Sequence, residues 1–170
     1  MNIVLPDGSV KELEEGATVA DVAASIGAGL ARAALAGIVN DTPVDLDAVV
    51  SDGDSVAIVT AKSDEGLELM RHSTAHLLAA ALTDLYPGVK FGVGPAIENG
   101  FYYDVDSPVA ITESDLPKIE AKMVELARQK EPLVRREVPK AEALKEFTEK
   151  GDPYKIELIE TLEDGTISFY

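Results

Sequence analysis

Short segments in which apolar and polar residues alternate dominate the first third of the chain. Segments of this kind, which predict β-strands, lie at residues 2–5, 9–13, 36–39, 44–46 and 55–60. The turn sequence Pro6-Asp7-Gly8 separates the first two and predicts an opening hairpin. Thr18 and Asp21 have the spacing of a helix-capping pair, and apolar residues then recur every three or four positions until Gly27. A short helix is therefore predicted between the hairpin and the later strands.

This order of elements is typical of a ubiquitin-like β-grasp domain, which we place at residues 1–61 with a polar linker at 62–66. The next pattern has helical spacing over residues 67–86 and ends at Pro87-Gly88. Its predicted buried stripe consists of Leu67, Met70, Thr74, Leu78, Ala81 and Leu85. Further strands are predicted at 89–93, 96–105, 133–138, 154–159 and 166–170, with helices at 112–131 and 141–150. Residues 67–170 are thus predicted to form a second, α+β domain.

Several turn and boundary signals lie between these elements. Asn99-Gly100 predicts a hairpin turn, Pro132 the end of a helix, and Glu163-Asp164-Gly165 a turn before the last strand. The chain then ends at Phe169-Tyr170, inside that strand and without a polar tail. We therefore expect the sequence to stop at a boundary within a longer protein, and the second domain to be incomplete at its C-terminal end.

Composition and charge exclude several classes of function. With 46% apolar residues the chain can bury a sizeable core, but no apolar run is long enough to span a membrane, so a cytoplasmic location is predicted. The absence of cysteine excludes disulfides, thiol nucleophiles and thiolate zinc sites. A net charge of −16 disfavours nonspecific nucleic-acid binding. Residues 118–155 nevertheless hold ten cations against eight acids, which either face a polyanion or are ordinary alternating surface charge.

The two histidines, His72 and His76, stand four residues apart on the predicted helix and should share one face. Such a pair can supply half of a metal site, transfer protons or bind a polar substrate, although most histidine pairs on helices are structural. Ser73 occupies the position where zinc proteases of the H-E-x-x-H type have glutamate, and the chain has no other histidine or cysteine. A metal site is therefore not predicted.

Four sequence motifs resemble those of the threonyl-tRNA synthetase family and occur here in the same order. They are Leu5-Pro6-Asp7-Gly8-Ser9, Glu65-Gly66-Leu67-Glu68, His72-Ser73-Thr74-Ala75-His76-Leu77 and Gly94-Pro95-Ala96-Ile97-Glu98-Asn99-Gly100-Phe101-Tyr102-Tyr103-Asp104. The resemblance implies a TGS domain, which is a β-grasp domain, followed by the editing domain shared by threonyl- and alanyl-tRNA synthetases. Alanyl-tRNA synthetases share the H-x-x-x-H element but have no preceding TGS domain.

The resemblance implies that the full protein ligates threonine to its tRNA with ATP, and that the editing domain hydrolyses mischarged seryl-tRNA. Serine lacks one methyl group of threonine, which is worth only about 1–3 kcal/mol of discrimination, so a second hydrolytic step is needed. The implied partners are the tRNA 3′-terminal adenosine carrying serine and the rest of the synthetase, which would dimerise through its catalytic domain. ATP, magnesium and a zinc ion are implied for that catalytic domain, and no cofactor for this chain.

The resemblance also implies roles for individual residues. His72 and His76 would position the terminal ribose, the ester or the attacking water, and Lys155 would orient water and stabilise negative charge. Tyr103 would line the pocket. Tyr102 and Tyr103 are adjacent in a predicted strand, so one should pack in the core while the other faces the cleft.

The family pattern continues with an aspartate and a C-x-x-x-H element that this sequence lacks, so we expect the chain alone to be inactive. The alternative is a stand-alone TGS-containing regulatory or RNA- or protein-binding module without catalysis. Residues 1–61 hold two basic and ten acidic residues, which is unfavourable for gripping RNA. The continuation of the reading frame beyond residue 170 would separate the two hypotheses.

Overall fold

The computed structural model describes residues 1–131, 134–163 and 165–169. It divides the chain into two compact units, Met1–Arg71 and His72–Tyr170. Each unit has its own hydrophobic core. The predicted boundary at residue 61 and the linker 62–66 remain predictions.

The first unit is built around a hairpin, two short helices and a three-stranded sheet. Its elements are β1 (Asn2–Val4), β2 (Val10–Glu12), α1 (Val19–Ile26), α2 (Ala28–Ala33), β3 (Ala34–Val39), β4 (Thr42–Val44) and β5 (Val56–Thr60). Strands β1 and β2 pair antiparallel, and the sheet has the order β4-β3-β5. The predicted capping pair is confirmed, because Thr18 and Asp21 bond each other's backbone at the start of α1. The second helix, α2, was not predicted.

The core of the first unit lies between α1 and the strands. Its buried side chains are Ile3, Leu5, Val19, Val22, Val50 and Val56. Helix α1 approaches β3 so closely that a Cβ added to Gly37 would lie 2.6 Å from Cγ1 of Val19. Asn40 and Asp41 both have positive φ and form the tight turn between β3 and β4, as the turn residues of Asn40-Asp41-Thr42-Pro43 predict.

The second unit contains small two-stranded ribbons and helices. The elements from its first helix onward are α3 (Asp64–Leu85), β6 (Lys90–Phe91), β7 (Ala96–Ile97), β8 (Gly100–Phe101), β9 (Val105–Asp106), a 3-10 turn (Glu113–Asp115), α4 (Leu116–Gln129), β10 (Arg136–Pro139), α5 (Lys140–Lys150), α6 (Pro153–Thr161) and β11 (Thr166–Phe169). The antiparallel pairs are β6 with β9, β7 with β8 and β10 with β11. The boundary between the two units falls within α3.

Two strand predictions in this unit are wrong. Residues 154–159 lie in helix α6, because Asp152 accepts a hydrogen bond from the Lys155 amide and Pro153 occupies the first helical turn. The long strand at 96–105 is instead divided among β7, β8 and β9. The predicted hairpin exists, but Ile97 pairs with Gly100, so its turn residues are Glu98 and Asn99.

The predicted buried stripe of α3 is only partly correct. Leu67 and Met70 are 42% and 44% exposed, whereas Ala75, Leu82 and Tyr86 are buried. Apolar spacings of three and four residues are compatible with either of two adjacent helix faces. In the structure, the face that carries Leu82 and Tyr86 is the one that packs against α4.

Parts of several predicted elements lie outside the described residues. These are Pro132, Leu133, Asp164 and Tyr170. Helix α4 ends at Gln129, followed by Lys130 in the left-handed conformation. Within the described part of the chain, no helix combines the length and the apolar character needed to cross a bilayer.

Candidate functional site

The two histidines lie on one face of α3, one helical turn apart. Their Nε2 atoms are 3.0 Å apart, and the rings meet edge to face with centroids 4.6 Å apart. A contact of this length between two ring nitrogens is stable only when one proton lies between them, because two lone pairs or two N–H groups would repel. One ring therefore donates and the other accepts at this contact, and the tautomers decide which ring is the donor.

Burial and positive neighbours keep His76 neutral. His76 is half-buried, whereas His72 is exposed. Loss of solvation lowers the pKa of His76, and the charges of His72 and Lys155 lower it further. His76 is thus held in the form that can accept a proton near neutral pH.

Lys155 reaches this region from the first turn of α6. Its amide donates to the carboxylate of Asp152 at 3.2 Å, and its Nζ donates to the carbonyl oxygen of Gly92 at 3.2 Å. Gly92 directly follows β6, which packs against α6. Burial lowers the pKa of the Lys155 ammonium, while the charge of Asp152 opposes this shift. The structure therefore places a partly desolvated cation close enough to His76 to influence its protonation.

The two tyrosines have different environments. Tyr103 is half-buried with its ring edge-on to Phe91 at a centroid distance of 5.2 Å, and burial raises the pKa of its hydroxyl. Tyr102 is 47% exposed. Gly94 lies directly against the Tyr103 ring, since a Cβ at this position would be 2.6 Å from two ring carbons. Of the two tyrosines, Tyr103 is therefore the one whose ring is held in position by packing.

His72 and His76 are in contact, the charge of Lys155 acts on His76, and segment 92–94 contacts both Lys155 and Tyr103. Sequence reasoning missed this segment. Its local signals are Gly92 near the end of the predicted strand 89–93 and Gly94 at the start of the fourth motif, and they are too weak to identify a site. Tyr102 remains nearly half exposed.

Comparison with known proteins identifies the relatives of the chain. Residues 1–60 match the TGS domain model. The whole chain is 49% identical to a threonine–tRNA ligase of Bacillus velezensis and 49% identical to threonine–tRNA ligase 1 of Bacillus subtilis, covering 27% of each relative. It is 51% identical to the threonine–tRNA ligase of a Geobacter species, again covering 27% of that protein. The chain is homologous to the N-terminal region of threonine–tRNA ligases.

The threonine–tRNA ligase resemblance and the TGS domain are thereby confirmed. The chain spans about a quarter of the length of these relatives, 27% in the Bacillus proteins. The TGS domain coincides with the strands and helices of the first unit. This domain holds ten acidic residues and two basic residues. Such a charge balance is unfavourable for direct contact with RNA.

The donor atoms near the histidines do not form a complete metal site within residues 1–131, 134–163 and 165–169. No group of three histidine, aspartate or glutamate side chains there is placed to hold a metal ion. His72 and His76 supply two nitrogens, whereas a catalytic zinc ion in proteins commonly has three protein ligands. The two imidazoles alone therefore do not complete a zinc site of that kind among the described residues.

Several of the cations in residues 118–155 have acidic partners close by. Ion pairs among the described residues include Lys122 with Asp84 and Glu125, Arg135 with Glu137, and Arg136 and Lys150 with Glu146. Lys140 donates to the carbonyl oxygens of Glu160 and Leu162 at the end of α6. These contacts favour ordinary surface charge over a surface built to face a polyanion.

Proposed function

We propose that this chain is the N-terminal part of a threonyl-tRNA synthetase and that residues 67–170 belong to a module that hydrolyses mischarged seryl-tRNA. The observation that carries the proposal is the convergence of the His72–His76 pair on α3 and Lys155 on α6. A neutral imidazole, a second imidazole hydrogen-bonded to it and a partly buried cation can supply the general base, the general acid and the oxyanion stabilisation that speed ester hydrolysis.

The proposed reaction is attack of water on the ester that joins serine to the ribose of the terminal adenosine. The water oxygen bonds to the carbonyl carbon, the carbonyl oxygen gains negative charge, and the bond to the ribose oxygen then breaks. His76 accepts a proton from the water, and the histidine pair delivers a proton to the leaving ribose oxygen. The Lys155 ammonium stabilises the negative charge that develops on the carbonyl oxygen. Serine leaves as a free amino acid and the tRNA recovers its terminal hydroxyl.

Tyr103 is proposed to line the pocket that receives the seryl group, with Tyr102 at its exposed margin. The packing of the Tyr103 ring against Gly94 and the exposure of Tyr102 support this assignment. A pocket for serine gains specificity by leaving no room for the methyl group of threonine, since attraction alone separates the two by only about 1–3 kcal/mol.

The wider proposal concerns the whole synthetase. For the whole protein we propose ligation of threonine to tRNA with ATP and magnesium, a zinc ion, a homodimer contact and a cytoplasmic location. Homology to threonine–tRNA ligases, which the chain covers over 27% of their length, supports the ligase part of this proposal. The aspartate and the C-x-x-x-H element of the family would complete the hydrolytic site. We therefore propose that residues 1–170 alone do not release serine from tRNA.

The test compares residues 1–170 with the full-length synthetase in deacylation of seryl-tRNA and threonyl-tRNA, with and without EDTA or added zinc. In the full-length protein, His72→Ala, His76→Ala and Lys155→Met should each slow seryl-tRNA deacylation about 100-fold while threonine charging stays normal. Thr83→Ala, on the exposed surface of the same helix, is the matched control. Equal loss of both activities would indicate a folding role and overturn the proposal.

The alternative of a stand-alone TGS module without catalysis has a separate outcome in this test. If the reading frame stops at residue 170 and the protein stays folded but inactive, the histidine face belongs to a binding surface. Continuation into a C-x-x-x-H element and a synthetase catalytic domain would support the proposed hydrolase.

A further inference from the structure

The first turn of α6 is attached to strand β9 by a side-chain hydrogen bond. The hydroxyl of Tyr154 donates to Oδ2 of Asp106 at 2.9 Å, across 48 residues of sequence. The carboxylate raises the pKa of the Tyr154 hydroxyl, chiefly through this hydrogen bond. No role was assigned to either residue from the sequence, although Tyr154 directly precedes Lys155, so the contact needs its own explanation.

The residue after Tyr154 is attached to the other strand of the same ribbon. Lys155 Nζ donates to the carbonyl oxygen of Gly92, which directly follows β6. Strands β6 and β9 are paired through Lys90 with Asp106 and Phe91 with Val105. The Gly92 amide extends this pairing by donating to the Asp104 carbonyl oxygen at 2.9 Å. Two adjacent helical residues thus hold both strands of one ribbon.

We propose that Asp106 and Tyr154 are positioning residues for the proposed hydrolysis, because their hydrogen bond fixes where the Lys155 ammonium lies relative to His76. This inference rests on the proposed function. A lysine side chain has four carbons and free rotation, and one hydrogen bond to a carbonyl leaves it several rotamers. Fixing the helix backbone one residue earlier sets where the lysine side chain begins, and the hydrogen bond to Gly92 sets where it ends. A charge placed in this way stabilises a developing oxyanion better than a mobile one.

The position of Lys155 can be read from the titration of His76 by NMR on residues 1–170, because the chain has two histidines and hence two imidazole spectra. His72 and Lys155 are the charged groups that act on His76. Lys155→Met should raise the pKa of His76 by removing a positive charge. Tyr154→Phe and Asp106→Ala should raise it in the same direction. Asp106→Asn should change it less, because the amide oxygen still accepts the hydrogen bond, and Tyr102→Phe is the matched control.

Two results of the titration would overturn the positioning role. One is a His76 titration that moves with Lys155→Met but not with Tyr154→Phe. The other is a titration that does not respond even to Lys155→Met, because Lys155 would then not lie near His76. Both results are independent of any enzymatic activity.

The kinetic test uses the full-length synthetase and a double-mutant cycle. Tyr154→Phe and Asp106→Ala should each lower kcat for seryl-tRNA deacylation about three- to tenfold with little change in KM and none in threonine charging. The double variant should be no slower than either single variant, since both remove the same hydrogen bond. Asp106→Asn should recover most of the lost rate.

Deacylation rates distinguish the positioning role of Tyr154 and Asp106 from the hydrolytic function itself. Additive losses in the cycle, or a normal rate for Tyr154→Phe beside a slow His72→Ala, would overturn the positioning role alone. Normal rates for His72→Ala and Lys155→Met would overturn the hydrolytic function, and with it the positioning role.

Discussion

Replacing Gly94 by alanine tests whether the ring of Tyr103 is held as tightly as the structure indicates. The added Cβ would lie 2.6 Å from Cδ2 and Cε2 of Tyr103 and 2.8 Å from Cγ. Because three atoms of a rigid ring are involved, no rotation of a flexible side-chain end can relieve the contact. The ring itself must move, or segment 92–94 must.

The distances give the size of the effect. Carbon atoms pack at about 3.5–4.0 Å, so the ring must withdraw by about 1 Å. Overpacking of this kind costs about 1–3 kcal/mol. Displacement also weakens the edge-on contact of Tyr103 with Phe91, at 5.2 Å, and such contacts contribute about 0.5–1.5 kcal/mol. We expect the second unit to lose about 2–4 kcal/mol, and a loss of 2 kcal/mol would lower its Tm by about 8–16 °C.

Calorimetric unfolding of residues 1–170 measures this loss, with Gly92→Ala as the matched control. A Cβ at Gly92 would meet the Cβ of Asp104 at 3.1 Å, a contact that a few tenths of an ångström relieve. Gly92→Ala should therefore cost less than about 1 kcal/mol. In a Tyr103→Ala background the Gly94→Ala penalty should disappear. Equal Tm values for the two glycine variants, or a penalty that persists without the ring, would refute the reasoning.

Two further predictions concern pH and helix capping. The pKa of His76 is lowered in the folded state by burial, so the unfolded state binds protons first, and stability should fall as pH drops below about 6.5; urea unfolding at pH 7.5 and 5.5 should show a smaller fall for His76→Gln. An equal fall in both proteins would contradict this. Thr18→Ala removes the hydroxyl that caps α1 and should cost about 1 kcal/mol by denaturant unfolding, whereas Thr18→Ser keeps the cap; equal stabilities would contradict the capping role.

Local sequence signals predicted the fold correctly where they indicated both an element and the residue at which it begins or ends. Thr18 and Asp21 form the predicted capping box, and the turn at Asn40 and Asp41 has the positive φ values that suit these residue types. Helix α6 was missed because Tyr154, Ile156 and Leu158 alternate with polar residues, which satisfies the two-residue period of a strand. The sequence Asp152-Pro153 carried the opposing signal for a helix start, and the structure follows that signal.

Only the contact between neighbouring residues of one helix was predictable in the candidate site. The spacing of His72 and His76 on a helix is enough to bring their rings together. Lys155 was assigned from resemblance, and no local pattern places its Nζ on the Gly92 carbonyl oxygen, 63 residues away. The close approach of Gly94 to Tyr103 is likewise invisible in sequence, because a glycine shows only that space is needed and not which ring needs it.

The electrostatics of the candidate site make Lys155 and His76 dependent on each other. The Lys155 charge lowers the pKa of His76, and burial has already disfavoured the charged form of both groups. In the proposed hydrolysis, the cation that stabilises the oxyanion therefore also keeps the imidazole free to accept a proton. Removing Lys155 would weaken oxyanion stabilisation and make His76 easier to protonate, so two catalytic contributions would be lost with one side chain. In the proposed positioning role, the hydrogen bond from Tyr154 to Asp106 affects both oxyanion stabilisation and the pKa of His76, because it sets the distance between Lys155 and His76.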